Sequence, residues 1–201
     1  DAYRHFISTH GLQDKVVALA KPTVVNGRSS FDEASEDITQ LMAKCEIPSE
    51  IVAALTSAYE GLEGDLPAVA VRSSANAEDL PGLSFAGQQE TFLNVRGADN
   101  VVKAVQECWT SLWTARAIAY RHEMGVPQEV VAMSVVVQQM VLAEAAGILF
   151  TANPATGERG EMIINASFGL GEAVVGGQVT PDTYIFDRNK MAVSETTMGP
   201  K

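Results

Sequence analysis

The segment Val69-Ala70-Val71-Arg72-Ser73-Ser74-Ala75-Asn76-Ala77-Glu78-Asp79-Leu80, followed by Ser84-Phe85-Ala86-Gly87-Gln88-Gln89-Glu90-Thr91, constrains this chain more than any other. An apolar strand delivers an arginine and two hydroxyls to one place, and a small-residue loop follows. Arginine carries a rigid fork of donors that matches phosphate oxygens. A loop glycine lets backbone N–H groups come close to an anion. The pattern predicts a phosphate site, and through it a nucleotide site. An edge strand with a surface arginine and a polar turn accounts for the same residues, and no lysine-bearing P-loop accompanies them. On composition alone that second reading leads.

The flanking sequence sets the fold class. Ser30-Phe31-Asp32-Glu33 has the form of a capping box. Phe31, Ile38, Leu41 and Met42 then fall on one face of a helix reaching Lys44. Pro48-Ser49 opens a second helix through Ile51, Val52, Leu55 and Tyr59, ended by Gly61 and Gly64. Residues 67–73 read as a buried strand and residues 91–95 as a returning one. Asp99 then caps one long helix with Val101, Val102, Val105, Cys108, Trp109, Leu112 and Trp113 at helical spacing. Its tryptophans read as core, and Arg116, Arg121 and His122 complement the dipole at its far end. From Val130 onward strands dominate, at 134–141, 146–150, 161–165 and 183–186, with a turn at 187–190 into 191–193. Asn153-Pro154-Ala155-Thr156-Gly157 reads as a solvent turn. The order predicts an α+β fold, mixed up to about Ala132 and β-rich after it.

Bulk properties narrow the function classes. At 201 residues the chain suits one domain or two small lobes, and its 46% apolar content supplies a core. A net charge of −11 argues against a general nucleic-acid or anionic-membrane binder. It does not exclude ATP, because a local cluster of donors can hold an anion on an acidic protein. Cys45 and Cys108 have no metal or redox spacing, and Cys108 reads as a small buried hydrophobe. No signal peptide and no bilayer-spanning apolar run is visible. The expectation is a cytoplasmic protein.

Further blocks accompany the arginine motif. They are Cys108-Trp109-Thr110-Ser111-Leu112-Trp113-Thr114-Ala115-Arg116-Ala117, Val135-Val136-Val137-Gln138-Gln139-Met140-Val141, Ala146-Gly147-Ile148-Leu149-Phe150-Thr151-Ala152-Asn153-Pro154, and Ala166-Ser167-Phe168-Gly169-Leu170-Gly171-Glu172 with Thr180-Pro181-Asp182 after it. In order and spacing, over nearly the whole chain, these resemble the N-terminal ATP-binding domain of the phosphoenolpyruvate synthase and rifamycin phosphotransferase group, relatives of pyruvate phosphate dikinase.

The resemblance implies a partial nucleotide-binding domain, ATP-grasp-like, with lid and body lobes. Residues 1–65 would be the helical part of the body, 66–133 the lid and 134–201 the β-rich body. By the same resemblance Arg72 contacts phosphate, and Gly87 and Thr91 contribute from the covering loop. Gln138 reads adenine, with the backbone through Val141 lining the base pocket; which of Gln138 and Gln139 does so stays open. The loop at Gly169, Gly171 and Glu172 is structural. The parent would be an ATP-dependent phosphotransferase that passes the β-phosphate to a histidine on a mobile domain and the γ-phosphate to water, leaving AMP. Pyruvate or a rifamycin-like antibiotic would then be phosphorylated. ATP and Mg²⁺ are the implied cofactors, and the phosphohistidine and substrate domains the implied partners. No catalytic residue and no metal ligand of the family matches within these residues. The family's lysine would precede Asp1 and its metal ligands would follow Lys201. His5, His10 and His122 lie outside its threonine–histidine motif. The expectation is therefore a fragment that turns nothing over alone. The competing class is a nucleotide-binding or interaction module without catalysis.

Overall fold

The computed structural model describes residues 1–76 and 90–200 and is a mixture of helix and sheet. In order it forms α1 (Ala2–Thr9), α2 (Gln13–Leu19), β1 (Thr23–Val25), β2 (Arg28–Ser30), α3 (Asp32–Ala43), α4 (Ser49–Glu60), β3 (Val69–Ala75), β4 (Thr91–Val95), α5 (Ala98–Ser111), α6 (Ala115–Glu123), β5 (Met133–Gln139), β6 (Ala145–Phe150), β7 (Glu161–Phe168), α7 (Glu172–Val175), β8 (Asp182–Asp187) and β9 (Ala192–Thr197). By contacts the chain divides into two units, Asp1–Met140 and Val141–Lys201.

In the first unit β3 is the middle of a three-stranded antiparallel sheet, ordered β4-β3-β5. Alternation along β3 turns Val69, Val71 and Ala75 inward, all buried, while Arg72 and Ser74 are exposed. α5 packs across all three strands and against α4. The core under the sheet is aromatic. Trp109 meets Phe6 at 5.3 Å between ring centroids and Tyr3 edge-on at 6.2 Å. The Trp113 indole N–H donates to the Tyr3 hydroxyl at 3.1 Å. Tyr59 ties the sheet to its helices. Its hydroxyl donates to the Pro67 carbonyl and accepts from the Gly97 N–H, both at 2.8 Å.

Three local expectations are corrected. The long helix is two helices, because the last turn of α5 tightens into i→i−3 bonds through Trp113 and Thr114. Thr114 then starts α6, its hydroxyl accepting from the Ala117 N–H at 3.3 Å. Asp99 lies in the first turn of α5, behind Gly97, which holds the N-cap at φ +83°. The capping box does not form. Ser30 belongs to β2, and its hydroxyl accepts from Asp32 N–H one residue before the N-cap Phe31.

The second unit is a four-stranded antiparallel meander, β6-β7-β8-β9. Its last hairpin closes where the Asp187 carboxylate accepts from the N–H groups of Asn189 (2.9 Å) and Lys190 (3.1 Å). Gly147 is required in β6, since a Cβ there would collide with the Asn165 carbonyl. The expected solvent turn at 153–157 is organised by a buried residue. Asn153 accepts from the Ala155 N–H at 3.0 Å and donates to Glu161 at 2.8 Å, so its amide is enclosed by its own bonds.

Burial also fixes proton affinities. It pushes the Cys108 thiol up to about 12, assisted by the nearby charges of Glu107 and Glu90. It likewise pushes the Tyr3 phenol up to about 12. It lowers Arg121 to about 10. Arg121 is fully buried, 5.2 Å from the centre of the Trp113 ring, and donates to Gln128 at 2.7 Å. A raised folded-state value means the folded chain keeps a proton that the unfolded chain has released, so stability falls as pH rises. Cys108 acts first, above its ordinary value of 9.0, and Tyr3 joins above 10.0, where Arg121 begins to oppose both. Thermal melts should therefore be flat in these groups up to pH ~9 and fall from there to pH ~10. Cys108→Ala should remove that fall, since above pH ~10 the contributions of Tyr3 and Arg121 offset each other. The same fall in Cys108→Ala would assign it to other groups.

Candidate functional site

The register of the β4-β3-β5 sheet decides which side chains share a face. Arg72 stands directly opposite Thr91 on β4 and Val136 on β5. Ala70 stands opposite Gln138, and Ser74 opposite Ser134. Residues across a ladder point to the same side. Arg72, Thr91 and Gln138 are therefore on one face, away from the helices, and all three are exposed. Val136, 49% exposed, lies between the arginine and the glutamine on that face.

Neither the Arg72 guanidinium nor the Gln138 amide is hydrogen-bonded or ion-paired to a described residue. Glu78, Asp79 and Gly87 of the arginine motif and its following loop lie outside the described residues. Gln139 is different. It points to the other side and donates to the Glu63 carbonyl at 3.0 Å, whereas the Gln138 amide bonds to no described residue. Val141 lies two residues beyond β5, first in the second unit, with 80% exposure. Gly169 takes φ +82° and donates to the Glu144 carbonyl at 2.9 Å, and Glu172 opens α7.

One residue of the arginine motif has a role that the sequence reading missed. Asn76 closes the sheet end from within. Its backbone N–H donates to the Ala132 carbonyl, its side-chain oxygen accepts from the Ala132 N–H at 2.8 Å, and its amide donates to the Val130 carbonyl at 2.9 Å. The amide thus imitates one further ladder pair and holds β3 to the run into β5. The available signal was an asparagine directly after a strand, a type whose side chain competes for backbone groups.

A guanidinium, a hydroxyl and an amide on one exposed face, with an apolar side chain between them, can hold a phosphate and meet a base edge. The family described as "Pyruvate phosphate dikinase, AMP/ATP-binding domain" matches residues 1–201, and the chain belongs to it. It is 47% identical over 194 residues to the phosphoenolpyruvate synthase of Pyrococcus furiosus, covering 94% of this chain and 24% of that protein. It is 42% identical over 207 residues to that of Aeropyrum pernix, covering 100% of this chain and 25% of that protein. A Methanocaldococcus jannaschii protein named "Probable phosphoenolpyruvate synthase" is 46% identical over 205 residues, covering 100% of this chain and 17% of its own length. The chain thus spans a quarter or less of these relatives.

Proposed function

We propose that this chain holds the nucleotide in an ATP-dependent phosphotransferase of the phosphoenolpyruvate synthase type. The observation that carries the reading is the shared exposed face of Arg72, Thr91 and Gln138 in a chain of an AMP/ATP-binding family. Arg72 grips phosphate oxygens through paired N–H donors. Thr91 adds a hydroxyl or backbone contact, and Gly87 lets the covering loop approach the phosphates. The Gln138 amide, able to donate and accept, reads the adenine edge. The contribution of the Val141 backbone rests on the resemblance alone.

The domain is ATP-grasp-like in this reading, with residues 1–65 and 134–201 in the body and 66–133 in the lid. The sheet that carries Arg72 takes its third strand, β5 (Met133–Gln139), almost wholly from residues this reading assigns to the body. In the parent protein the β-phosphate passes to a histidine of a mobile domain, the γ-phosphate to water, and AMP remains. The names of the relatives favour pyruvate as final acceptor over a rifamycin-like antibiotic. Mg²⁺ would neutralise phosphate charge. Among the described residues no group of three or more His, Cys, Asp or Glu is placed to hold a metal, so no step is assigned to it. No helix among them is long and apolar enough to cross a membrane, and a cytoplasmic setting belongs to the proposal. The 201-residue chain alone should release no AMP from ATP.

The base contact supplies the test. Gln138→Ala should weaken ATP by roughly 0.5–1.5 kcal/mol, the net worth of a hydrogen bond made on an exposed face. It should leave tripolyphosphate, which has no base, unaffected. Equal losses for the two ligands in calorimetry would remove Gln138 from the base pocket.

A further inference from the structure

Arg121, on α6, is the one fully buried charged side chain among the described residues. It is 1% exposed, and its affinity for a proton, lowered by burial to about 10, still leaves it charged at neutral pH. Among the described residues no carboxylate lies within ion-pair distance of it. Its Nε–H donates to the Gln128 side-chain oxygen at 2.7 Å. The Gln128 amide is turned away, donating to the Ile118 carbonyl at 3.4 Å. The Arg121 Nη2 is buried and makes no hydrogen bond.

A second buried donor belongs to the same group. The Tyr3 hydroxyl, on α1, accepts from the Trp113 indole N–H at 3.1 Å and feels the Arg121 charge. Its own hydrogen has no acceptor among the described residues. Indole, phenol and guanidinium thus form a buried group in which donors outnumber acceptors and one positive charge has no counter-charge. Buried polar groups in native proteins are hydrogen-bonded, and buried charges are paired. The face of the Trp113 ring, 5.2 Å away, offsets part of the charge but takes no hydrogen bond from Nη2. A water would accept the bonds and leave the charge. An anion answers both. We propose that a monovalent anion the size of chloride accepts from the Arg121 Nη2–H and the Tyr3 hydroxyl, and so ties α1 to α6.

Thermal melts of the chain in sodium chloride and in sodium gluconate, at equal ionic strength, test it. Gluconate is too large for a buried site. Chloride at about five times its dissociation constant should raise the melting temperature by about 2–4 °C over gluconate. Arg121→Met keeps the length of the side chain and removes the charge and its donors, an exchange that buried sites often tolerate. It should melt alike in the two salts. Crystals of the unaltered chain grown from sodium bromide give a second measurement. An anomalous peak beside the Arg121 Nη2 and the Tyr3 hydroxyl is expected. No anomalous peak there, whether the density is that of a water or nothing, would overturn the anion. Equal melting of the unaltered chain in the two salts would overturn it too, as would a chloride effect that Arg121→Met retains. If Arg121→Met does not fold, the bromide map and the melts of the unaltered chain decide.

Discussion

Arg72→Ala should weaken ATP binding by ten- to a hundredfold, because a hydrogen bond to a charged group is worth about 1.5–3 kcal/mol. Its melting temperature should stay within about 2 °C, the range of an exposed side chain with no packing role. The contrast follows from the position. The strand around Arg72 is fixed by Val69 and Val71, both completely buried, and by pairing on both sides. The guanidinium itself bonds to no described residue. Arg72→Lys should recover only part of the affinity, since a point charge lacks the planar fork. Calorimetry and thermal melts on the three proteins decide the matter. Unchanged ATP affinity in Arg72→Ala would return Arg72 to the role of a surface arginine. A collapsed melt would make it a structural residue, with its partner outside the described residues.

The strands of this site were legible because their alternation is strong. Val69 and Val71 against Arg72 and Ser74 identify which face is wet, and the structure has β4 at residues 91–95 as expected. What the sequence does not display is register. Only the pairing of Arg72 with Thr91 and Val136, and of Ala70 with Gln138, brings three separate motifs to one face. The choice between Gln138 and Gln139 has the same origin, since consecutive strand residues point to opposite sides. The helical errors are local in cause. An apolar stripe from Val101 to Trp113 is continuous by period, yet a tightened turn at its end redirects the chain without exposing Trp113. The β1–β2 hairpin was missed although Asn26-Gly27, both at positive φ, is the usual signal for a two-residue turn. Its strands are only three residues long and give little alternation to notice.

Trp109→Ala should be the most destabilising single change in the first unit, at about 3–5 kcal/mol for removing a large buried aromatic side chain. Trp109 is 2% exposed and contacts Phe6 and Tyr3, which belong to α1, from its place on α5. Its loss opens a void between the helix that backs the sheet and the helix that covers it. A domain stable by about 5–15 kcal/mol cannot lose that much without a visible fall in its urea midpoint. Trp109→Phe should fall between the two, because it keeps part of the ring contacts. The effect on nucleotide should be indirect. β3 presents Arg72 on one side and rests on α5 with the other, so Trp109→Ala should weaken ATP binding only where the unfolded fraction is appreciable. Cooling toward the temperature of maximum stability should restore the affinity, which it cannot do for Arg72→Ala. Urea unfolding and ATP titrations at 10 °C and 37 °C separate the two variants. An unchanged urea midpoint in Trp109→Ala would place the unit's stability elsewhere. A loss of affinity that persists at 10 °C would mean that Trp109 shapes the site itself.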